Sequence, residues 1–498
     1  MNIHSIEGRA SDAGIVLDNL KGKTIRGGFL AICSQPVKFL FRTVSLVLLA
    51  RILVPEEFGL VGMVTAVTGV IGMFKDAGLS AITVQRPVIT DEQVSTLFWI
   101  NMAVGAILVG LSISLAPVLV SFYREPRLFW VTVALGSGFI FNAAATQHQA
   151  LLRRHMRYAE LVGIDVISLL VSVAVGIAMA VGGFGYWSLV GMQVVLPVAN
   201  AVFVWVAFPW IPGLPRRNIG IRSMLNFGGT VTLNSLVIYL AYSADKILLG
   251  RYWGPAALGT YGRSFQLFNM PIDQLNGAND WVAFPVLSRL QGDPDRFRKY
   301  FLKGYSLVLA LTIPFVIGCA VFAEEMIIVL LGPKWKDAAA ILRLLTPTGL
   351  AFALINPFGP LLMARGQVGR SLKMALVIAP VLITGYVAGL RYGPEGVALG
   401  SSAGMTLLIV PMIAWAKHGT SISTRDIFRS LRQPFLSGVV AAVATLLFKY
   451  YFGPTWSPYA SLLVGGSVLI VSYLWLLLYI MGQKDMYLDL LREIKKRS

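Results

Sequence analysis

The sequence predicts an all-α polytopic membrane protein with about 14 transmembrane helices. Of its 498 residues 56% are hydrophobic and only 13% are charged, whereas about 25% of the residues of a soluble protein are charged. Apolar runs of roughly 20 residues, long enough to cross a hydrocarbon layer of ~30 Å, recur along the whole chain. None of these runs alternates between polar and apolar residues as the strands of a membrane β-barrel do.

The first half of the chain holds six of the predicted spans. The stretch before them, residues 1–23, is polar and lacks the pattern of a cleavable signal peptide, so the first span is expected to act as the targeting signal. That span ends between Arg51 and Pro55, and the glycines of GGFGYW at 182–187 form a tight hairpin between the fifth and sixth spans. The six spans are predicted at residues 24–50, 58–81, 94–121, 127–150, 159–181 and 184–210.

The second half of the chain holds eight more spans. Short connections rich in glycine, proline or charged residues separate them. The final stretch, KDMYLDLLREIKKRS, is either an interfacial helix with Tyr487 and Leu491 on its apolar face or a solvated tail. The eight spans are predicted at residues 223–249, 256–284, 299–323, 338–363, 369–390, 396–416, 434–452 and 458–481.

Basic residues concentrate on one side of this layout. The loops after the even-numbered spans and the two tails hold most of them, for example Arg153, Arg216, Arg289, Arg425 and Lys495. The positive-inside rule therefore places both termini in the cytoplasm. The net charge of +18 is then explained by topology and anionic lipid head groups, and nucleic acid is not expected as a partner.

A phrase repeated after 200 positions organises the chain. LLARILVPEEFGLVG runs over 48–62 and LLGRYWGPAALGTYG over 248–262. Six spans separate the starts of the two copies, so both cross the membrane in the same direction, as in transporters with two parallel six-helix lobes. The predicted domains are a cytoplasmic tail (1–23), an N-lobe (24–222), a C-lobe (223–417), a cytoplasmic loop (418–433), two C-terminal helices (434–481) and a basic tail (482–498).

Four strings carry a resemblance to a known family: ARILVPEEFGLVGM, DAGLSAITVQR, DKILLGRYWGPAALGTYGRSFQL and PVLSRLQGDPDRFRKYF. Over about residues 20–420 the chain resembles the polysaccharide transporter family. These are Wzx-type flippases of the multidrug/oligosaccharidyl-lipid/polysaccharide superfamily, and the match is best to the exopolysaccharide and lipopolysaccharide branch. The resemblance implies a MATE-like fold in the bacterial inner membrane. It also implies transport of an undecaprenyl-diphosphate-linked oligosaccharide to the periplasmic leaflet, with a polysaccharide polymerase or export machinery as a candidate partner.

The first span holds the strongest candidate binding residues. Lys38 and Arg42 lie one turn apart, and each would cost about 2.5–3.5 kcal/mol facing lipid, so both are expected to face inward. With Gln35 they form one helical face. The repeat maps this face onto Tyr242 and Asp245 in the seventh span. We expect a cationic wall in the first lobe, an aromatic and acidic wall in the second, and a cationic central cavity for alternating access.

Other candidates lie elsewhere in the spans. Arg263, Gln266, Asp273 and Asn276 follow one face of the eighth span, and Arg343 lies in the tenth. An intramembrane ion pair is the alternative role for each charged candidate, including Asp165 in the fifth span. The predicted substrate-binding residues are Lys38, Arg42, Gln35, Tyr242, Arg263, Gln266, Asn276 and Arg343; the predicted residues for H⁺ or Na⁺ coupling are Asp245, Asp273 and Asp76.

Enzyme classes are not favoured. Cys33, Cys319 and the four histidines have no metal-ligand spacing, and no nucleophile or phosphate-binding motif occurs. No resident cofactor is expected. A glycosyltransferase would need a large loop with paired carboxylates, and no loop exceeds roughly 20 residues. A flippase for a lipid-linked peptidoglycan precursor stays an alternative, as does a multidrug/cation antiporter, although Lys38 and Arg42 argue against the antiporter.

Overall fold

The computed structural model describes residues 34–75, 79–86, 89–215, 222–453, 455–485 and 487, without the side chains at 81, 82, 85, 222–238, 278–282 and 368. Within these ranges the chain is helical and contains no strand. Nine helices of the described part are long and apolar enough to cross a membrane. The predicted all-α multi-pass class is confirmed.

The helices up to residue 207 follow the predicted spans. The predicted span 58–81 is divided, because α2 ends at Gly72 and a separate short helix begins at Leu79. Asp76 lies between them, outside the described residues. In order, the helices are α1 (residues 34–52), α2 (Pro55–Gly72), α3 (Leu79–Gln85), α4 (Asp91–Tyr123), α5 (Leu128–Arg154), α6 (Tyr158–Val181) and α7 (Trp187–Ala207).

The helices after residue 221 also follow the predicted spans, with one addition. The spans 223–249 and 256–284 are two helical segments that meet at a kink at Gly254 and are together called α8, and an additional short helix follows the ninth span. In order, the helices are α8 (Arg222–Arg289), α9 (Pro294–Val321), α10 (Ala323–Leu330), α11 (Ala338–Ile355), α12 (Phe358–Ala364), α13 (Val368–Gly389), α14 (Gly393–Lys417), α15 (Thr424–Phe452) and α16 (Pro458–Ile480).

The chain divides into two compact units, Met1–Leu236 and Val237–Ser498. In the first unit α5 packs against α4 and α7, and α6 packs against α7. A buried apolar cluster joins α5, α6 and α7, because small and β-branched side chains on their facing sides allow close packing. Its members are Ala145, Leu152, Ile164, Ala201 and Val204.

The repeated phrase makes the same kind of contact in both units. In the first copy, Pro55 begins α2, and the backbone N–H of Val54 donates to Glu57 Oε2 at 2.9 Å. In the second copy Gly254 has φ 80°, a left-handed conformation that glycine adopts without strain. Glu57 packs against Gly185 in the α6–α7 turn. Trp253 Nε1 donates to the Leu390 carbonyl at 2.8 Å in the α13–α14 turn. Each copy thus docks on the hairpin of its own unit.

The segment after α7 is tied to the first unit. His148 on α5 is buried, its Nε2 lies 3.0 Å from the Trp210 carbonyl oxygen, and its ring stacks on Trp205 at 4.3 Å. Trp99 Nε1 on α4 donates to the Gly213 carbonyl at 2.8 Å. These hydrogen bonds satisfy polar groups inside an aromatic cluster, so the histidine is structural.

The last two helices belong to the second unit. Tyr473 Oη on α16 donates to the Ala310 carbonyl on α9 at 2.9 Å. Lys449 on α15 forms an ion pair with Glu325 on α10, and Ser461 Oγ donates to the same carboxylate at 3.1 Å. A buried apolar cluster completes the packing; its members are Ala310, Phe322, Ala441, Leu469, Tyr473 and Leu477.

Candidate functional site

An ion pair at membrane depth joins two helices of the first unit. Lys38 on α1 donates from Nζ to Asp165 Oδ2 on α6 at 2.7 Å. The Lys38 side chain is 16% exposed, whereas the Asp165 side chain is 45% exposed. The intramembrane ion pair considered from the sequence is therefore present for these two residues. Because the carboxylate is the more open partner, the pair is accessible from the side of Asp165.

Two side-chain amides, linked by a hydrogen bond, lie on the side of Asp165 opposite the oxygen that binds Lys38. Asn200 Nδ2 on α7 lies 3.4 Å from Asp165 Oδ1, and Gln149 Nε2 on α5 donates to Asn200 Oδ1 at 2.6 Å. The network therefore joins α1, α6, α7 and α5. All three polar residues lie near one end of their helices, within about two turns or ~10 Å. The nearest helix end is Arg154 for Gln149, Tyr158 for Asp165 and Ala207 for Asn200.

The apolar cluster of α5, α6 and α7 positions this network. Ile164 and Ala201 of that cluster are the immediate sequence neighbours of Asp165 and Asn200. Successive helical residues point about 100° apart, so the cluster and the network lie on adjacent faces of the same helices. Packing thus holds the amides in the orientation that supports the carboxylate.

The rest of the predicted α1 stripe lies along the same helix. Ser45 is buried, and its Oγ lies 3.5 Å from Met192 Sδ on α7. Gln35 and Arg42 are exposed. Among the described residues Arg42 forms no ion pair, and its role in substrate binding stays a prediction. Lys38 and Arg42, four residues apart, have Cβ atoms about 6 Å apart on one helix face.

The second unit holds a buried acid with hydrogen-bond donors around it. Asp245 is 1% exposed and accepts a hydrogen bond from Tyr261 Oη at 2.8 Å on Oδ2. Its Oδ1 accepts from the Lys246 backbone N–H at 2.7 Å, while the Lys246 ammonium lies 5.5 Å from the Phe265 ring centre. Asp245 is therefore enclosed, in contrast with Asp165.

The remaining half-buried candidates of the second unit have contacts of their own. Tyr242 is half-buried, with its ring 6.0 Å from that of Phe352. Arg263 is half-buried. Gln266 Nε2 lies 3.8 Å from Met270 Sδ, and within the described residues the buried Asn276 Nδ2 has no acceptor.

Two charged candidates of the second unit are exposed. Asp273 accepts from Asn269 Nδ2 at 2.5 Å. Arg343 donates from Nε to the Ala320 carbonyl at 3.3 Å. Neither is in an ion pair with another residue of the described chain. The assignment of both to substrate or ion binding stays a prediction.

Sequence reasoning missed three supporting residues. Asn200 and Gln149 are the polar residues that complete the Asp165 network, and Tyr261 satisfies Asp245. A signal existed for the two amides, because each interrupts an apolar span. Tyr261 gave no such signal, since it lies within the second copy of the repeated phrase, at 248–262, and sixteen residues from Asp245.

A groove lies within the second unit, between α11, α13 and α14. Its volume is about 990 Å³, and side chains such as Leu344, Val381, Leu399 and Leu407 make it mainly apolar. α13 and α14 cross closely there, because a Cβ on Gly385 would lie 2.5 Å from the Gly400 carbonyl oxygen. A groove of this chemistry can hold a hydrocarbon chain. Within the described residues no group of three or more His, Cys, Asp or Glu side chains could hold a metal ion.

Comparisons of sequence find relatives in the biosynthesis of surface polysaccharides. The profile of the family described as "Polysaccharide biosynthesis protein" matches residues 48–340, more than half of the chain. The teichuronic acid biosynthesis protein TuaB of Bacillus subtilis is 26% identical, over 75% of this chain and 84% of the relative. The lipopolysaccharide biosynthesis protein WzxC of Escherichia coli is 24% identical over 87% and 88%. The succinoglycan biosynthesis transport protein ExoT of Rhizobium meliloti is 24% identical over 82% and 81%.

Comparisons of structure identify the fold. The lipid II flippase MurJ in an inward closed conformation superposes with a TM-score of 0.74 at 13% identity, covering 92% of this chain and 99% of MurJ. An inward-facing multidrug resistance MATE family transporter of the MOP superfamily gives a TM-score of 0.61 at 15% identity, covering 79% and 96%. The MATE-like transporter fold is thereby confirmed.

Proposed function

Because this chain belongs to the polysaccharide biosynthesis protein family, we propose that it is a flippase for an undecaprenyl-diphosphate-linked oligosaccharide. The cargo is a repeat unit of an exopolysaccharide or lipopolysaccharide, moved from the cytoplasmic to the periplasmic leaflet of the inner membrane. The observation that carries the proposal is the accessible cationic site of the first unit: the Lys38 ammonium, held at membrane depth by Asp165, with the exposed Arg42 one turn away.

This site suits a diphosphate. Phosphate oxygens are bound best by several charge-assisted donors. Lys38 supplies an ammonium and Arg42 a planar guanidinium, which binds two phosphate oxygens at once. Gln35 on the same helix face adds an amide for a sugar hydroxyl. The polyprenyl chain needs no polar partner, and either the lipid or an apolar groove such as that between α11, α13 and α14 can hold it.

No covalent chemistry is required of the protein. An outward movement of two negative charges across an inside-negative membrane is downhill by about 4.6 kcal/mol per 100 mV. The potential alone can therefore drive release of a diphosphate on the outer side. The same potential draws the empty cationic site back inward, and an inward-moving coupled cation adds to that driving force.

Asp245 is the coupling residue that fits a proton best. Its carboxylate is enclosed and accepts hydrogen bonds from Tyr261 and the Lys246 backbone. The groups that face its two oxygens are hydrogen-bond donors, whereas a Na⁺ ion would need several oxygen ligands in their place. Asp273 and Asp76 stay in the proposal as further candidate coupling residues.

The gene deletion tests the proposed cargo. Mass spectrometry of lipids from a deletion strain is expected to find an accumulated undecaprenyl-diphosphate-linked saccharide, and the wild-type gene on a plasmid is expected to remove it. The doubly substituted gene, with Lys38→Ala and Arg42→Ala, is expected to leave the lipid in place at equal protein abundance. Normal export from a strain without the gene, with no lipid-linked saccharide accumulated, would contradict the function.

Both termini are proposed to be cytoplasmic. The concentration of basic residues in the loops after the even-numbered spans supports this orientation. Alkaline phosphatase fused after residue 498 is expected to be inactive, and fused in the α6–α7 hairpin to be active. The opposite pattern would reverse the direction of transport assigned to the site.

A further inference from the structure

The ammonium of Lys38 has unused hydrogen-bonding capacity. An ammonium group has three N–H donors. Within the described part of the chain Lys38 makes one bond, to Asp165, although its side chain is only 16% exposed. A mostly covered charge is costly unless its donors are satisfied. The remaining donors are therefore available to a ligand that enters beside Asp165.

Asp165 does not depend on Lys38 for its position. Asn200 on α7 approaches its other oxygen, Gln149 on α5 donates to Asn200, and the packing of α5, α6 and α7 holds both amides. The carboxylate thus stays in place when Lys38 changes partner. Its 45% exposure leaves room for an incoming anion next to the shared ammonium.

A second ion pair of the same chain differs in this respect. In the pair of Lys449 with Glu325, the carboxylate is the covered member at 13% exposure, and Ser461 donates to it as well. That arrangement stabilises helix packing and offers no access to the acid. The Lys38–Asp165 pair has the reverse arrangement, with a covered cation and an open acid.

We propose that Asp165 is an internal counter-ion, which competes with the phosphate groups of the substrate for Lys38. The proposal rests on the flippase function given above. In the empty site Asp165 neutralises Lys38. A bound diphosphate takes over the ammonium together with Arg42, and the Asp165 charge then repels the phosphate from within hydrogen-bonding range of Lys38. That repulsion weakens binding and speeds release, so Asp165 is a positioning residue for Lys38 that sets turnover.

Binding to the full-length protein in lipid nanodiscs tests the proposal. The probes are undecaprenyl diphosphate and, as an uncharged control, undecaprenol. Asp165→Asn keeps the shape and one hydrogen bond but removes the repelling charge, so it is expected to bind undecaprenyl diphosphate about tenfold more tightly. Its affinity for undecaprenol is expected to stay that of the wild type. In a proteoliposome flipping assay it is expected to lower both KM and the maximal rate.

Two further variants separate competition from a structural role. Asp165→Glu keeps the charge and is expected to bind undecaprenyl diphosphate as the wild type does. Glu325→Gln, the matched control, is expected to lower the melting temperature and to leave the affinity unchanged. Should Asp165→Asn fold poorly, Asn200→Ala weakens the hold on the carboxylate, and it is expected to tighten diphosphate binding by a smaller factor.

The outcomes distinguish this proposal from the proposed function. Suppose that the wild type prefers undecaprenyl diphosphate over undecaprenol, but that Asp165→Asn binds undecaprenyl diphosphate no more tightly than the wild type does. This result overturns the counter-ion role and leaves the flippase function standing. A wild-type protein with no preference between the two lipids overturns both.

Discussion

The two units share a scaffold and differ in how they hold an acid. In both units the repeated phrase docks on the hairpin that joins two long helices, through Glu57 at Gly185 and through Trp253 at Leu390. In the first unit Asp165 is open and paired with a lysine, whereas in the second Asp245 is closed and bonded to Tyr261. Docking on the hairpin is therefore common to both copies, whereas the acidic side chains of the two units are held differently.

The accessible pair of the first unit is assigned to the substrate, so its loss has the largest expected effect. Lys38→Met removes the ammonium and leaves Asp165 to repel the phosphate. Loss of one charge-assisted contact to a diphosphate costs about 1.5–3 kcal/mol, so we expect polysaccharide export to fall about tenfold or more. The measurement is secreted polysaccharide per unit of membrane-inserted protein. Equal export by Lys38→Met and wild type would remove the functional difference between the units.

The enclosed acid of the second unit is expected to affect stability as well as transport. Tyr261→Phe removes the O–H that Asp245 Oδ2 accepts, in a site 1% exposed. A buried acceptor left without its donor costs about 1–3 kcal/mol. Thermal unfolding in detergent should show a lowered melting temperature. Asn200→Ala, next to the half-exposed Asp165, is the matched substitution and should shift it less; an equal shift would mean that the two acids are equally enclosed.

The shared scaffold is tested by two glycines in corresponding hairpins. Gly185 has φ 57° and Gly393 has φ 70°, so alanine at either position is strained by about 1–2 kcal/mol. A Cβ at Gly185 would also lie 2.5 Å from Glu57 Oε1, whereas one at Gly393 would lie 3.4 Å from the Trp253 ring. We expect both alanine variants to melt earlier, Gly185→Ala by more. A lowered melting temperature in only one of the two variants would show that the two units do not share the docking contact.

The smallest expected effect on stability comes from an ion pair in a loop of the first unit. In the loop between α4 and α5, Arg127 donates to Glu125 at 2.8 Å and to Glu56 at 2.7 Å, and the bond from Arg127 lowers the pKa of Glu125. A lowered pKa in the folded state stabilises the fold above the ordinary glutamate pKa of about 4.3, and this contribution is lost as the pH falls through the lowered value.

This loop lies near the surface, so the contribution of the ion pair is below about 1 kcal/mol. Glu125→Gln is expected to lower the melting temperature slightly at pH 7 and by less at pH 3, where more of the Glu125 carboxylate is protonated. A deficit that is the same at both pH values would assign the effect to packing and not to charge.

Much of the scaffold could be predicted from the sequence, because long apolar runs and a repeated phrase are local signals. The spans and the helix breaks near Pro55 and Gly254 follow from them. The pairing of Lys38 with Asp165 could be named only as an alternative, since it joins residues 127 positions apart. Tyr261 reaches Asp245 because α8 turns back at Gly254, a geometry that helical periodicity within one span does not contain.

Flipping by purified protein in proteoliposomes tests the central claim most directly. A fluorescent undecaprenyl-diphosphate-linked saccharide is placed in both leaflets, and dithionite then reports how much of it becomes accessible from outside. We predict that wild-type protein exposes the whole pool, that Lys38→Met exposes little more than the outer half, and that an uncharged undecaprenyl-linked dye is not moved. Equal flipping by Lys38→Met, or equal flipping of the uncharged dye, would contradict a cationic site for the lipid diphosphate.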